Sequence, residues 1–354
     1  MTRVVIACGL GGVGKTTAAA GVAVAHALAG RRVVVLTIDP ARRLADALGL
    51  SGLGNEAVEV DLSPIGATGT LHALMLDRKA TFDDLVRRHG EPDIVDRLLV
   101  NRYYRAASTR LSGAHEYMAI VKLEDLVDDG RWDVIVLDTP PAQHVVDFFH
   151  APERMATLFE PGSLSALGGG GGLLGMATRR IGMVLERLAG ESVIKDVGEF
   201  FRLMGSVGEH IRDQSEHIQK RLRSKDTGFV LVTSPRLDVL SDVEAFADLL
   251  RAQKMRIEGM LVNRVVLPPR LGHPIVPARL PRAPDEIEAA EWEALGLALA
   301  ELPPMVDALA RDHAAAISRL SAAVDGVPVS VLPEIPGGVR TLEALARLAP
   351  FLPT

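Results

Sequence analysis

Nothing in this 354-residue chain constrains its fold more than residues 8–17, CGLGGVGKTT. Gly9-x-x-x-x-Gly14-Lys15-Thr16 meets every fixed position of the G-x-x-x-x-G-K-[ST] pattern. The motif makes a structural demand: a buried strand must feed the loop and a helix must leave it. RVVIAC, just before the loop, is a short β-branched run, and residues 16–29 are alanine-rich and closed by Gly30. In such a loop glycines let backbone N–H groups close around phosphate oxygens, and the helix N-terminus adds positive potential. Gly11, Gly12, Val13, Gly14, Lys15, Thr16 and Thr17 are therefore the expected phosphate-binding residues. Lys15 is placed to reach the β- and γ-phosphates, and Thr16 to offer its hydroxyl to Mg²⁺.

The rest of the chain continues the alternation. RVVVLTIDP, stopped by Pro40, GTLHALMLD and RWDVIVLDTPP read as further strands, as do GFVLVTS from Gly228, RIEGMLVN to Asn263 and VPVSVLP to Pro333. Continuous apolar strands separated by helical stretches predict an α/β fold: a mostly parallel P-loop NTPase sheet with helices on both faces. Residues 1–150 and 227–354 are expected to form this ATPase domain. Residues 151–226, with part of 78–130, are expected to form an inserted helical subdomain. In it Val197, Phe200, Phe201, Met204 and Ile211 recur at helical steps, and Leu173, Leu174, Met176, Met183 and Val207 add apolar surface. Such a face packs a core or lines a groove for an apolar partner. GGGGG at 168–172 interrupts the segment, and the proline-rich stretch 267–284 reads as a loop.

Two acids end buried runs. Asp138 follows VIVL and suits the Walker-B role, holding Mg²⁺ directly or through water; the alternative is a helix cap. Asp39 ends LTI and is placed to orient the water that attacks a γ-phosphate; the alternative is a turn aspartate before Pro40. His144 reads as a packing or capping residue, and HEYMA at His115 lacks the second histidine of a zinc motif.

Composition narrows the partners. A formal net charge of −6 argues against nonspecific duplex binding. The one cysteine, Cys8, precludes an internal disulfide or a cysteine-pair zinc site and reads as a buried strand residue. No signal peptide opens the chain and no run suits a membrane span, so a cytoplasmic protein with no integral membrane segment is expected.

Five segments occur in order: GLGGVGKTT, TIDPARRLADAL, LDTPPAQHVVDFF, GMLVNR and LPEIPGGVRTLEAL. Together, across nearly the whole chain, they resemble the ArsA-like family of deviant-Walker ATPases. That family includes the arsenite-pump ATPase subunit and the ATPase that targets tail-anchored membrane proteins. The resemblance implies ATP and Mg²⁺ as ligands, a dimer, and a helical subdomain coupled to a client. It implies that Asp39 is the switch I aspartate that positions the hydrolytic water, and that residues 138–144 are switch II. Asn263 would contact adenine, and Pro333 would sit in a loop flanking the base; without the family, Asn263 reads as a turn residue.

Three departures matter. The family's loop reads K-G-G-x-G-K-[ST], and its first lysine reaches across the dimer to the partner's phosphates; this chain has Leu10 there. The resemblance then implies a heterodimer with a lysine-bearing paralogue, a homodimer that turns over slowly, or a substitute cation such as Arg42 or Arg43. Arg236 stands where some members have an acid near the base or ribose, so that contact is not carried over. Arsenite capture and the zinc clasp of the eukaryotic member both need cysteines that this chain lacks. A partitioning or positioning ATPase shares the glycine loop, but the tail RTLEALARLAPFLPT has only two basic residues for a membrane or DNA contact. A nitrogenase-type ATPase lacks its cluster cysteines here. The loop alone would also fit a nucleoside kinase, against which the Asp39 and DTPPAQH segments argue.

Overall fold

The computed structural model describes residues 2–39, 42–102, 104–105, 114–139, 150–154, 200, 203–268, 288–300, 302–335 and 338–353. Residues 140–144, the glycine run 168–172, Leu173, Leu174, Met176, Met183, Val197, Phe201 and residues 269–284 lie outside them.

The elements are β1 (Arg3–Gly9), α1 (Lys15–Leu28), β2 (Arg32–Thr37), α2 (Arg43–Ala47), β3 (Val58–Glu59), β4 (Thr70–Met75), α3 (Arg78–His89), α4 (Pro92–Val100), α5 (Ala114–Asp128) and β5 (Val134–Asp138). They continue as α6 (Gly205–Leu222), β6 (Thr227–Thr233), α7 (Leu240–Ala252), β7 (Ile257–Val265), α8 (Ala289–Ala300), α9 (Leu302–Ala323), β8 (Val329–Pro333) and α10 (Leu342–Leu348). One sheet runs β3-β4-β2-β5-β1-β6-β7-β8. Only the β3–β4 pair is antiparallel. The fold is thus the mostly parallel α/β sheet expected. Nothing in the sequence announces β3, whose two residues are both exposed.

The strand pattern explains the layers. Alternate residues point to opposite faces, so a strand buried on both sides must be apolar throughout. On one face Val5, Ala7, Val33, Val35, Val134 and Val136 pack with α1 and α10. On the other, Val4, Ile6, Cys8, Val34, Leu36, Ile135 and Leu137 pack with α3, α5, α6 and α7. Cys8 is fully buried with its thiol against the Val230 carbonyl, as a strand residue should be.

α1 is alanine-rich because it is enclosed. Ala19, Ala20, Ala23 and Ala27 are 0% exposed. A Cβ on Gly21 would stand 2.8 Å from Leu352 Cδ1, so the segment around α10 seats directly on the helix that leaves the loop. Leu342, Leu345, Leu348 and Leu352 belong to this same buried cluster.

The described part of the helical region shares the sheet's core. Phe200, Leu203, Met204, Val207 and Ile211 are buried in one cluster with Leu85, Leu98 and Tyr117 and with the sheet face. Of the two outcomes for this apolar face, packing is the one observed at these positions. α8 and α9 carry no strong sequence signature. α9 seats Ala310, Ala316 and Leu320 inward, whereas Leu295, Leu297, Met305 and Leu309 are exposed. Among the described residues no helix is long and apolar enough to cross a membrane.

Candidate active site

β2, β5 and β1 are adjacent and parallel, so their C-terminal ends share one edge. That edge brings together the glycine loop after β1, Asp39 after β2 and Asp138 at the end of β5. Register makes the alignment specific: Asp138 lies beside Ala7 on one side and Thr37 on the other.

The loop needs its glycines for space as well as for φ. A Cβ at Gly9 would fall 2.0 Å from the Val232 carbonyl oxygen. Gly14 has φ +90°, and its Cβ would meet Asn263 Nδ2 at 2.3 Å. Asn263 braces the loop from β7: its Nδ2 donates to the Val13 carbonyl at 2.9 Å, and its Oδ1 accepts from the Arg264 backbone N–H at 2.9 Å. Gly11 and Gly12 are exposed, Val13 is buried, and Thr16 and Thr17 are half-buried.

Lys15 is 8% exposed, and its Nζ donates to the Leu10 carbonyl at 2.9 Å. Burial lowers its pKa; Asp138, Cys8 and Asp39 oppose that shift, and Arg43 adds to it. Both acids therefore act on this ammonium. Asp138 is 1% exposed, and burial raises its pKa to about 6 against hydrogen bonds from Thr16 and Thr37 and the charge of Lys15. Its Oδ2 accepts from Thr37 Oγ1 at 3.0 Å, while Oδ1 is buried without a partner. A buried carboxylate oxygen with no donor normally demands an explanation. The oxygens of Asp138 and Thr16 are hard donors of the kind that would fit Mg²⁺.

Asp39 is partly buried, with Arg43 Nη1 3.7 Å from its Oδ2. Arg42 donates instead to the Ser51 carbonyl at 2.8 Å. Leu10 is half-buried and packs against both apolar clusters, beside a small cavity lined by Leu231, Val243 and Phe246. Arg236 is engaged with Asp238, Nε to Oδ1 at 2.9 Å. Pro333 ends β8 opposite Val265, one residue after the Asn263–Arg264 bulge. Sequence reasoning overlooks Thr37, because a β-branched residue at a strand end is ordinary. Among the described residues no three His, Cys, Asp or Glu side chains cluster as metal ligands.

A family model described as anion-transporting ATPase matches residues 2–274. Among known proteins, the chain is similar to ATPase GET3 of Kluyveromyces lactis, 25% identical over 275 residues, spanning 73% of this chain and 70% of that protein. It is also similar to ATPase get3 of Aspergillus terreus, 26% identical over 273 residues, spanning 73% and 72%. A shorter match, to ATPase GET3 of Paracoccidioides lutzii, is 31% identical over 185 residues, 49% of this chain and 52% of that one. The family match includes the loop, both acids and Asn263, and it favours this family over the partitioning-type alternative; Pro333 lies beyond it. The matched span runs from β1 past β7, and the chain belongs to the anion-transporting (ArsA) ATPase family.

Proposed function

We propose that this chain is an ATP-binding and ATP-hydrolysing conformational switch that acts in a dimer and couples nucleotide state to a helical client or partner surface. The observation that carries the reading is the convergence of Lys15, Thr16 and Asp138, with a buried Asp138 oxygen left over for a cation. Backbone amides of residues 11–17 bind the triphosphate, and Lys15 exchanges the Leu10 carbonyl for phosphate oxygen. Thr16 and Asp138 would hold Mg²⁺, which when bound neutralises charge on the phosphates. Asp39 orients the attacking water. Asn263 and Pro333 flank the adenine, with the Asn263 brace fixing the loop at the same time.

Leu10 gives a partner protomer no cation at this position. Trans-acting cations of this kind contribute roughly 10³–10⁵ in rate. We therefore favour a heterodimer with a lysine-bearing paralogue, with slow hydrolysis as the homodimer. Arg43, beside Asp39, is the substitute cation the geometry offers. The helical body over 151–226, with part of 78–130, is the surface assigned to an apolar client. Since Phe200 and Met204 are buried, its test falls on Met176→Glu and Met183→Glu, which should lower client binding.

The direct experiment is phosphate release from Mg-ATP by purified protein, alone and with a lysine-bearing family member, beside Lys15→Ala and Asp39→Asn. Hydrolysis lost in both variants and raised by the relative is expected. No affinity for adenine nucleotides would overturn the switch; a rate indifferent to the relative would overturn the heterodimer.

A further inference from the structure

We infer that Thr37 is the positioning residue that ties the water-orienting Asp39 to the metal-side acid Asp138, so that the two shift as one unit. The inference rests on the ATPase reading above and adds to it a residue that the loop motif does not contain.

Thr37 is the last residue of β2 and lies opposite Asp138 in the parallel register. It is 1% exposed. Its Oγ1 donates to Asp138 Oδ2 at 3.0 Å and accepts from the Asp39 backbone N–H at 3.2 Å. A hydroxyl has one proton. Asp138 takes that proton, so the rotor is fixed and a lone pair points at the Asp39 amide. The two bonds form a chain, N–H to hydroxyl to carboxylate, in which each bond polarises the next in a low-dielectric setting. A backbone bond runs beside it, from Ile38 N–H to the Asp138 carbonyl at 3.3 Å. That bond joins the two main chains and does not involve the Asp138 carboxylate. The Thr37 hydroxyl couples the Asp138 carboxylate directly to the peptide that carries Asp39.

The geometry also explains why threonine stands here in a strand whose other buried residues are valine and leucine. Valine would fill the same volume but offer neither a donor nor an acceptor, and the Thr-to-Val change is not neutral for that reason.

The test compares Thr37→Val and Thr37→Ser in the full-length protein. Four quantities are read: kcat, the ATP dissociation constant, the Mg²⁺ half-saturation, and hydrogen exchange of the peptide containing the Asp39 amide in nucleotide-free protein. Thr37→Val should keep ATP affinity within about threefold and lower kcat about 10- to 100-fold, the size of a lost hydrogen bond to a charged group. It should raise the Mg²⁺ requirement and speed exchange at Asp39. Thr37→Ser should restore kcat, the Mg²⁺ requirement and the exchange rate. Should the valine variant fail to fold, Thr37→Ala supplies a second hydroxyl-free protein for the same comparison. Wild-type kcat and wild-type Asp39 exchange in a folded hydroxyl-free variant would overturn the inference. If the wild type itself hydrolyses no ATP, the ATPase reading fails, and the exchange comparison still decides the role of Thr37.

Discussion

Asp138→Asn should make the nucleotide-free protein more stable while weakening its response to Mg-ATP. Burial raises the Asp138 pKa from 3.8 to about 6. At 1.36 kcal/mol per pH unit, that displacement corresponds to about 3 kcal/mol against folding at pH 7, where the carboxylate is ionised in both states. The sign follows from proton binding. Between pH 3.8 and about 6 the folded protein holds the proton and the unfolded chain does not. Stability contributed by this group is therefore lost as pH rises through that window, and the loss is complete above it. Asparagine carries no charge to bury and can still accept from Thr37. Its advantage should be about 3 kcal/mol at pH 7, or about 4 °C in Tm for a chain of this length, and about half that at pH 5. The assay is urea and thermal unfolding of both proteins at the two pH values without nucleotide, then with Mg-ATP. Wild type should gain from Mg-ATP by mass action, and the asparagine variant, which keeps the loop amides and Lys15 but not the carboxylate, should gain less. An advantage of equal size at both pH values, or none at pH 7, would refute the link between this buried charge and stability.

Three further outcomes are expected. Gly14→Ala places a Cβ at 2.3 Å from Asn263 Nδ2 with φ at +90°, so it should cost about 1–3 kcal/mol and weaken ATP binding at least about tenfold by calorimetry. Asn263→Ala frees the Val13 carbonyl and the Arg264 N–H; it should cost about 1–2 kcal/mol in denaturant and weaken binding of a fluorescent ATP analogue. His26 is 0% exposed, both ring nitrogens lack a partner, and burial lowers its pKa to about 4. The unfolded chain binds that proton first, so wild type should lose about 3 kcal/mol as pH falls from 6.5 to 4. His26→Leu should flatten that part of the acid limb in urea midpoints.

Much of the sheet is legible because a doubly covered parallel strand must be apolar along its whole length. RVVVLT and VIVLD show this directly, and both are strands. The glycine loop is legible because its spacing admits few other backbones. β3 leaves no trace, since two exposed residues pairing with β4 need no pattern. α8 is opaque for the opposite reason: AAEWEALGLALA is apolar on most sides, so it reads neither as an amphipathic surface helix nor as a strand. At the site, Lys15 announces itself by the loop motif, and Asp39 and Asp138 by charge at strand ends. Thr37 does not, because its value lies in which two groups it touches. Asn263 is visible as a polar residue after an apolar run, but its brace onto Val13 depends on register between distant strands.

The seating of Leu342 to Leu352 on α1 has a consequence for biogenesis. The phosphate loop leaves the ribosome long before the leucines that cover its helix. During that interval the alanine-rich helix carries an apolar flank with no cover, and nascent protein holds the loop's residues without the support that fixes them. The cover of α1 is thus complete only once synthesis reaches α10, and a truncation that removes Leu342 to Leu352 would uncover the helix that leaves the phosphate loop.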